Sequence, residues 1–274
     1  MPELPEVETI VRDLRPHLLG RQIRQVVHIN PQILRHPGAA QFGEAVPGRT
    51  VDGVLRRGKF IHVMLGRPER LVVHLGMSGT LILQPSEDLA RPHTHLRLLL
   101  DSGLELRYRD PRRFGRVTFG PEEQLIAVGS LPVLGAEPLA RAFPPCSVEE
   151  ALERSGRSVK AVLLDQRVIA GCGNIYADEA CFLARVRPTR RASQLTRAER
   201  DRLLRALPIV MRDAIRRRGT SFSDYRDGFG AKGEAFESLF VYGRSGYACV
   251  RCGSTLRRAR VAGRTTVYCM RCQS

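Results

Sequence analysis

The chain has 274 residues, 43% of them hydrophobic, and a formal net charge of +16. This length allows two domains with cores of their own, and the positive charge implies a polyanionic partner. We expect nucleic acid rather than a membrane, because no basic amphipathic helix carries aromatic anchors. No apolar run has the length of a membrane span, and the acidic, proline-rich first residues exclude a signal peptide, so we expect a cytosolic protein.

The first stretch of the chain predicts a helix that begins at Pro5, since apolar residues follow the helical period from Val7 to Leu18. Pro2 and Glu3 then form a short lead-in, and Glu3 needs a reason other than the helix dipole. If the initiator Met is removed, Pro2 presents a secondary amine with a reference pKa of about 8. Such an amine is a nucleophile that can attack a sugar C1′ with Glu3 as its proton donor.

Short β-like runs separated by Gly and Pro follow, and Asp101-Ser102-Gly103 has the composition of a hairpin turn. Their regular spacing predicts an antiparallel β-sandwich or barrel. The runs are 23–29, 51–65, 71–75, 80–83, 96–100, 104–108 and 117–119.

Helical patterns replace the strands after a proline-rich stretch, so the fold class is α+β. Ser147 with Glu150 and Thr196 with Glu199 predict capping boxes. The helix that Thr196 opens should be kinked by Pro208 and end at Gly219. Residues 219–237, which include Lys232, are expected to form a mobile loop. The predicted domains are 1–127 (β-sandwich), 128–147 (linker), 148–240 (helical) and 241–274 (zinc ribbon).

Four cysteines near the end of the chain have the spacing of a zinc site, C-x2-C, sixteen residues, C-x2-C. Four thiolates fill a tetrahedral Zn²⁺ and leave no open position, so we expect one structural ion. A disulfide pair is the weaker alternative in a cytosolic protein. Residues 256–268 alternate as a hairpin around Ala262-Gly263, and Arg264 beside that turn is best placed to reach DNA. The predicted ligands are Cys249, Cys252, Cys269 and Cys272.

Three further motifs admit a simpler interpretation. Gly171-Cys-Gly-Asn174 lacks the third glycine of a dinucleotide-binding loop, but its backbone N–H groups and Asn amide could hold a phosphate. Residues 110–115 could be an exposed basic turn with Phe114 packed inward. His93 and His95 could be two metal ligands on one strand, although no third ligand is in view.

These motifs occur together in the order typical of one family. Pro2-Glu-Leu-Pro-Glu-Val-Glu-Thr9, His74-Leu-Gly-Met77-Ser-Gly79, Arg107 to Gly115, Gly173-Asn-Ile-Tyr176 and the four cysteines resemble formamidopyrimidine-DNA glycosylase. The resemblance also includes Arg57-Gly-Lys59 and Val241-Tyr-Gly-Arg244, and it covers residues 2 to 273. It implies an N-terminal β-sandwich, a helix-two-turn-helix domain and a zinc ribbon, with DNA in the cleft between domains.

The resemblance also implies roles for single residues. By matching position, Pro2 is the Schiff-base nucleophile, Glu3 the proton donor, Lys59 an amine that aids β-elimination, and Arg264 the residue of δ-elimination. The set that fills the gap left by a flipped lesion is Met77, Arg112 and Phe114, with Arg112 also reading the orphaned cytosine. Residues 219–237 resemble the lesion-recognition loop. The implied DNA contacts are His74, His93, Lys160, Asn174 and Tyr242. Arg154-Ser155-Gly-Arg157 departs from relatives that carry lysines there.

The sequence therefore predicts a monomeric base excision repair enzyme of the bacterial cytoplasm that acts on damaged double-stranded DNA. It is expected to excise 8-oxoguanine and formamidopyrimidines and to cleave the strand by β,δ-elimination. One alternative is a glycosylase of the endonuclease VIII type for oxidised pyrimidines, against which Leu4 and Phe114 argue. Another is a zinc-ribbon DNA-binding protein without catalysis, against which intact Pro2, Glu3 and Lys59 argue.

Overall fold

Alternating apolar and polar residues in the first half of the chain build two sheets that face each other. The computed structural model describes residues 2–220, 226–231 and 233–274. One sheet has the strand order β1-β7-β8-β6, and the other has the order β2-β9-β5-β4-β3. Their strands are β1 (Ile23–Ile29), β2 (Leu34–His36), β3 (Gly53–Arg57), β4 (Phe60–Met64), β5 (Glu69–His74), β6 (Thr80–Pro85), β7 (Thr94–Leu100), β8 (Leu104–Arg109) and β9 (Arg116–Pro121).

The inward residues of both sheets share one core, which confirms the predicted β-sandwich. Ile61 and Val73 of one sheet and Leu81 and Leu98 of the other are at most 1% exposed and belong to a single hydrophobic cluster. Helix α1 (Leu4–Leu18) contributes its apolar face to the same cluster and packs against β3, β4 and β6. The N-terminal residues are therefore fixed by the core.

The pattern in the sequence missed three short elements and merged two strands. The run 51–65 is a hairpin, since Arg57 pairs with Phe60 and the two residues between them form the turn. Strand β2 pairs in parallel with β9, unlike the other pairs of named strands. Helices α2 (Ala39–Ala45) and α3 (Glu122–Ala127) were not predicted, because seven or fewer residues do not establish a helical period.

The helical part begins one residue before the predicted N-cap. Pro145, with φ −75° and ψ 157°, is the N-cap, so Ser147 lies in the first turn and the predicted Ser147 capping box is wrong. The Thr196 box is confirmed: Glu199 N–H donates to Thr196 Oγ1 at 3.3 Å, and Thr196 N–H donates to Glu199 at 2.8 Å. The helices are α4 (Cys146–Arg154), α5 (Val159–Leu163), α6 (Asn174–Leu183) and α7 (Arg197–Arg216), which continues through Pro208.

The chain divides into two compact units whose bounds do not follow its order. The first unit is Met1–Val133 with Arg217–Glu234, and the second is Leu134–Arg216 with Ala235–Ser274. The short stretch after α7 thus packs with the β-sandwich. The second unit contains the terminal hairpin of β10 (Arg257–Val261) and β11 (Arg264–Tyr268). The predicted domain limits at 127, 147 and 240 remain predictions. No helix among the described residues is long and apolar enough to cross a membrane.

Candidate active site and nucleic-acid interface

Glu3 is the N-cap of α1, which gives this carboxylate a structural role that the sequence did not reveal. Its extended backbone precedes Leu4, and its side chain forms a reciprocal capping box with Glu6. The Glu3 N–H donates to Glu6 Oε2 at 2.8 Å. Because Pro2 is buried and Glu3 is only 2% exposed, the two residues are held in one arrangement beside the first turn.

Lys59 lies in the β3–β4 turn, and Arg56 ties that turn to the start of α1. Arg56 Nε donates to Glu8 Oε2 at 2.9 Å, while Arg56 donates through a terminal nitrogen to the Gly58 carbonyl at 3.1 Å. Lys59 itself is 8% exposed. One arginine with a buried side chain therefore links the turn that carries the Lys59 amine to the helix that Pro2 and Glu3 precede.

The same helix anchors the described ends of the 217–234 segment. Glu6 Oε1 accepts the Thr220 N–H at 2.8 Å, and further along the helix Asp13 Oδ2 accepts the Gly228 N–H at 3.1 Å. Arg218 bridges Asp13 and Asp227 with distances of 2.8 and 2.6 Å. These contacts attach the segment to α1 at two points. Residues 221–225 and Lys232 of the predicted lesion-recognition loop lie outside the described residues.

Met77, Arg112 and Phe114 are brought to the surface by two loops whose backbones touch. Gly76 has φ +64°, and a Cβ there would collide with the backbone of Gly115. A Cβ on Gly115 would collide with the Tyr108 hydroxyl and the His74 carbonyl, so both positions need glycine. Phe114 is 56% exposed and Met77 38% exposed, and the Arg112 guanidinium lies 4.7 Å from the Phe114 ring centre. The alternative that Phe114 packs inward is therefore wrong, because the turn projects the ring into solvent.

A buried carboxylate, Asp110, holds these two loops together. It is fully buried and accepts hydrogen bonds from Ser78 Oγ at 2.6 Å, Tyr108 at 3.2 Å and the Gly115 N–H at 2.8 Å. Its backbone carbonyl contacts His95 Nε2 at 3.0 Å. Asp110 thus sets the spacing between the loop of Met77 and the loop of Phe114. No pattern in the sequence indicates this role, since the acid is surrounded by arginines.

His74 is a neutral donor rather than a cation. Burial, with the nearby charges of Arg116 and Lys59, lowers the pKa of His74 to about 4. Its Nδ1 accepts the Gly76 N–H at 3.2 Å, so the proton of the neutral ring lies on Nε2. The predicted phosphate contact would therefore be a neutral N–H bond that does not titrate near pH 7.

His93 and His95 do not form a metal pair. His93 is exposed with φ +68°, whereas His95 is buried and uses both ring nitrogens, toward Asn30 at 3.1 Å and toward the Asp110 carbonyl. The role of His93 as a phosphate contact stays a prediction.

In the second unit, the glycine-rich turn leads directly into α6. Gly173 is the N-cap of α6 and Asn174 its first residue. Gln166 holds the turn, since its side chain donates to the Cys172 carbonyl at 2.7 Å and accepts the Gly171 N–H at 2.9 Å. Asn174 Oδ1 is buried and accepts no hydrogen bond from the described part of the chain. A helix N-terminus next to this amide suits a phosphate.

The structure contradicts Lys160 as a phosphate contact. Its side chain is completely buried, and its ammonium donates to the Thr265 carbonyl at 3.0 Å and to Thr266 Oγ1 at 2.8 Å. It also forms an ion pair with Asp178 at 2.7 Å. Burial raises the pKa of Asp178, and the Lys160 ammonium acts against that rise. The three N–H donors of the compact ammonium match these three acceptors, which suits a lysine at this position.

Replacing Lys160 with Met is expected to lower the free energy of unfolding by roughly 3–5 kcal/mol, because it leaves Asp178 buried without its counter-ion. Urea unfolding measures the loss, and the double variant Lys160→Met, Asp178→Leu should recover part of it. A stable Lys160→Met protein with a weaker salt dependence of DNA binding would show that Lys160 contacts phosphate after all.

Helix α6 also positions Tyr242 through Glu179. This buried carboxylate accepts the backbone N–H groups of Phe240, Val241 and Tyr242 at 2.8 to 2.9 Å. Because Asn174 starts the same helix, one helix fixes the backbone of two predicted phosphate contacts, Asn174 and Tyr242. The sequence did not indicate this role of Glu179, since its three partners lie about sixty residues further along the chain.

The four cysteines meet at one point. Their sulfur atoms all lie within 4.8 Å of one another, with Cys249 and Cys272 3.9 Å apart and Cys252 and Cys269 3.5 Å apart. A tetrahedral Zn²⁺ with Zn–S bonds of about 2.3 Å requires sulfur separations of about 3.8 Å. The residues therefore fit one structural zinc ion. Cys249 and Cys269 also share a hydrophobic cluster with Phe182 of α6.

The hairpin beyond the first cysteine pair has the predicted turn, since Val261 pairs with Arg264 across Ala262-Gly263. Arg264 and the other three hairpin arginines are exposed, which suits contacts with a polyanion.

Three family models match the chain in order. They describe the formamidopyrimidine-DNA glycosylase N-terminal domain over residues 1–117, the helix-two-turn-helix (H2TH) domain of the same enzyme over 134–226, and a zinc finger found in FPG and IleRS over 248–274. A formamidopyrimidine-DNA glycosylase of Symbiobacterium thermophilum is 45% identical over the whole chain and 89% of the relative. The chain belongs to the formamidopyrimidine-DNA glycosylase family.

Solved structures of this family superpose along the full length. The MutM (Fpg) protein of Thermus thermophilus has a TM-score of 0.87 at 43% identity, with 99% of this chain and 98% of that chain covered. A variant of Lactococcus lactis Fpg bound to DNA that contains Fapy-dG has a TM-score of 0.91 at 32% identity, with both chains fully covered. The family that the sequence motifs predicted is thus confirmed, as are its fold class and zinc finger.

Proposed function

We propose that the chain is a DNA glycosylase and AP lyase that removes oxidised purines from duplex DNA, with Pro2 as its nucleophile. The observation that carries this proposal is the placement of Pro2 and Glu3. Both are buried at the capped start of α1, in the unit that also holds Lys59 on a turn joined to that helix. The capping of α1 accounts for the buried acid in a protein without catalysis, but it does not account for a buried amine directly before that acid.

The chemistry follows from the groups present. Once Met1 is removed, the Pro2 nitrogen attacks C1′, the bond from C1′ to the base breaks, and the base leaves with a proton. Glu3 donates a proton to the sugar ring oxygen as the ring opens, which yields an iminium on Pro2. Loss of a C2′ proton then expels the 3′-phosphate, and Lys59 assists this elimination. Loss of the 5′-phosphate follows with the help of Arg264, and water releases Pro2.

DNA recognition divides between two kinds of contact. Flipping the damaged base out of the duplex costs a few kcal/mol of lost stacking. Met77, Arg112 and Phe114 occupy the space that the base leaves. His74, His93, Asn174, Tyr242 and Arg264 hold phosphates and fix the register. The protein acts as a monomer in the bacterial cytoplasm, at the nucleoid when bound to DNA.

Oxidised pyrimidines are the second class of substrate. One solved structure is a complex of Lactococcus lactis Fpg with DNA that contains an oxidised pyrimidine. Leu4 and Phe114 favour purines in this chain.

Base release from matched duplexes tests the proposal. Duplexes with 8-oxoguanine or dihydrouracil opposite their usual partners share all other base pairs, and single-turnover release gives the excision rate for each lesion. We expect faster release of 8-oxoguanine. Faster release of dihydrouracil would favour the endonuclease VIII type, and release of neither base would leave only a binding protein.

Phe114→Ala and Arg264→Ala should fail in different ways. Removing the Phe114 ring should slow excision from duplex and leave the salt dependence of binding unchanged, because the ring contacts no phosphate. Removing Arg264 should make the slope of log K against log salt less negative by about one unit on lesion and undamaged DNA alike. Binding titrations from low to high salt measure both. A Phe114→Ala defect that follows salt concentration would contradict the intercalation role.

A further inference from the structure

A cavity of about 420 Å³ lies on the outer side of the four-stranded sheet. Arg112 is among its lining residues, whereas Pro2 and Glu3 are not. Four arginines line it, together with the hydroxyl-bearing residues Ser78 and Thr80. The arginines are Arg91, Arg109, Arg112 and Arg226. The described lining contains no carboxylate, and the volume is within the range of small-ligand sites.

The pairing of β6 with β8 builds one wall of this cavity. Thr80 pairs with Arg109, so both side chains project to the same side of the sheet. Arg109 Nε donates to the Pro92 carbonyl at 2.9 Å, which ties the arginine to the turn that carries Arg91. Thr94 Oγ1 donates to the Arg91 carbonyl at 2.7 Å and closes that turn. The cationic wall is therefore built by the sheet and by one closed turn.

Three arginines of this wall differ from other arginines on the strands of the first unit that are paired with carboxylates. Arg56, Arg97 and Arg107 are each paired with a glutamate at 2.7 to 2.9 Å. In contrast, Arg91, Arg109 and Arg112 form no ion pair with any carboxylate that the structure describes. Asp110 adjoins the cavity in sequence, but it is fully buried and its oxygens accept hydrogen bonds from Ser78, Tyr108 and Gly115.

We propose that this cavity binds a phosphodiester of the undamaged DNA strand, next to the base that faces the lesion. The planar guanidinium groups match the paired oxygens of a phosphate, and Arg91, Arg109 and Arg112 have no carboxylate partner among the described residues. The strand assignment rests on the proposed function, in which Arg112 at the edge of the cavity reads the orphaned base. The backbone of the strand that carries this base then continues past Arg112 toward Arg109 and Arg91.

The test is a binding experiment that needs no catalysis, so a failure of the proposed excision chemistry does not affect it. Neutral methylphosphonates replace single phosphates in either strand of a duplex with a tetrahydrofuran abasic site. The wild type should lose affinity at one phosphate of the undamaged strand near the orphaned base. The double variant Arg91→Gln, Arg109→Gln should show no further loss at that phosphate, and its slope of log K against log salt should be about one unit less negative.

Two variants serve as controls. Arg24→Gln removes an exposed arginine from β1, at the opposite edge of the same sheet, and should keep the wild-type slope and phosphate pattern. The double variant Arg91→Lys, Arg109→Lys keeps both positive charges, so it should keep most of the wild-type slope of log K against log salt. The proposal is overturned if the Gln variant has the wild-type slope, or if the sensitive phosphate lies in the lesion strand. The proposal is also overturned if inorganic phosphate raises the melting temperature of the protein while no single methylphosphonate lowers its affinity for the duplex.

Discussion

An N-terminal extension that cannot be removed is expected to abolish covalent trapping of the protein on abasic DNA by borohydride. The extension converts the Pro2 nitrogen into an amide, which has no free electron pair to attack C1′. Since Pro2 is buried beside a fixed Glu3, no other described amine shares its position. A denaturing gel of protein with radiolabelled abasic duplex measures the trapped complex, which should fall to background.

Two controls separate chemistry from structure in this experiment. An extension that a protease removes to leave Pro2 at the terminus should restore trapping. Glu3→Gln keeps an oxygen that can accept the capping hydrogen bond but cannot donate a proton as an acid, so the helix should persist while ring opening slows. Normal trapping by an extended, uncleaved protein would exclude Pro2 as the nucleophile.

Removing the zinc ion is expected to eliminate DNA binding and to unfold part of the second unit. The ligands Cys249 and Cys269 pack in one cluster with Phe182 of α6, and Asp178 of α6 accepts the Val267 N–H of the ribbon at 3.0 Å. Loss of the metal should therefore loosen α6, which begins with Asn174, while the β-sandwich keeps its own core. Metal analysis, DNA titration and circular dichroism after chelation measure the three effects.

Cysteine variants give this prediction a matched control. Cys269→Ser should cause the same loss as chelation, whereas Cys146→Ser should be neutral, because Cys146 is exposed and outside the cluster. About one zinc ion per chain is expected from the four-thiolate site. Full activity in a zinc-free protein would refute the ribbon as a structural metal site.

The sequence predicts most of the fold because its signals are local. Apolar alternation locates most of the strand regions, and the C-x2-C spacing locates a metal site that the folded chain assembles with suitable sulfur distances. Short elements such as β2 are missed, since three residues that pair in parallel with a distant strand carry no pattern of their own.

The site is less predictable, because its supporting residues act across long sequence separations. Asp110 joins two loops, Glu179 fixes the backbone near Tyr242, and Lys160 lies buried against the ribbon. A residue's type indicates neither its burial nor its partner. Glu3 was singled out for its proposed chemistry, but the sequence did not show that the same carboxylate also caps α1.

The position of the covalent adduct shows which amine of the protein attacks the sugar. The protein, with Met1 removed, is mixed with a duplex that contains 8-oxoguanine, reduced with borohydride during turnover, digested and analysed by tandem mass spectrometry. We expect one deoxyribose-derived modification, on the nitrogen of Pro2. An adduct on Lys59, or release of 8-oxoguanine with no adduct on any amine, would contradict it.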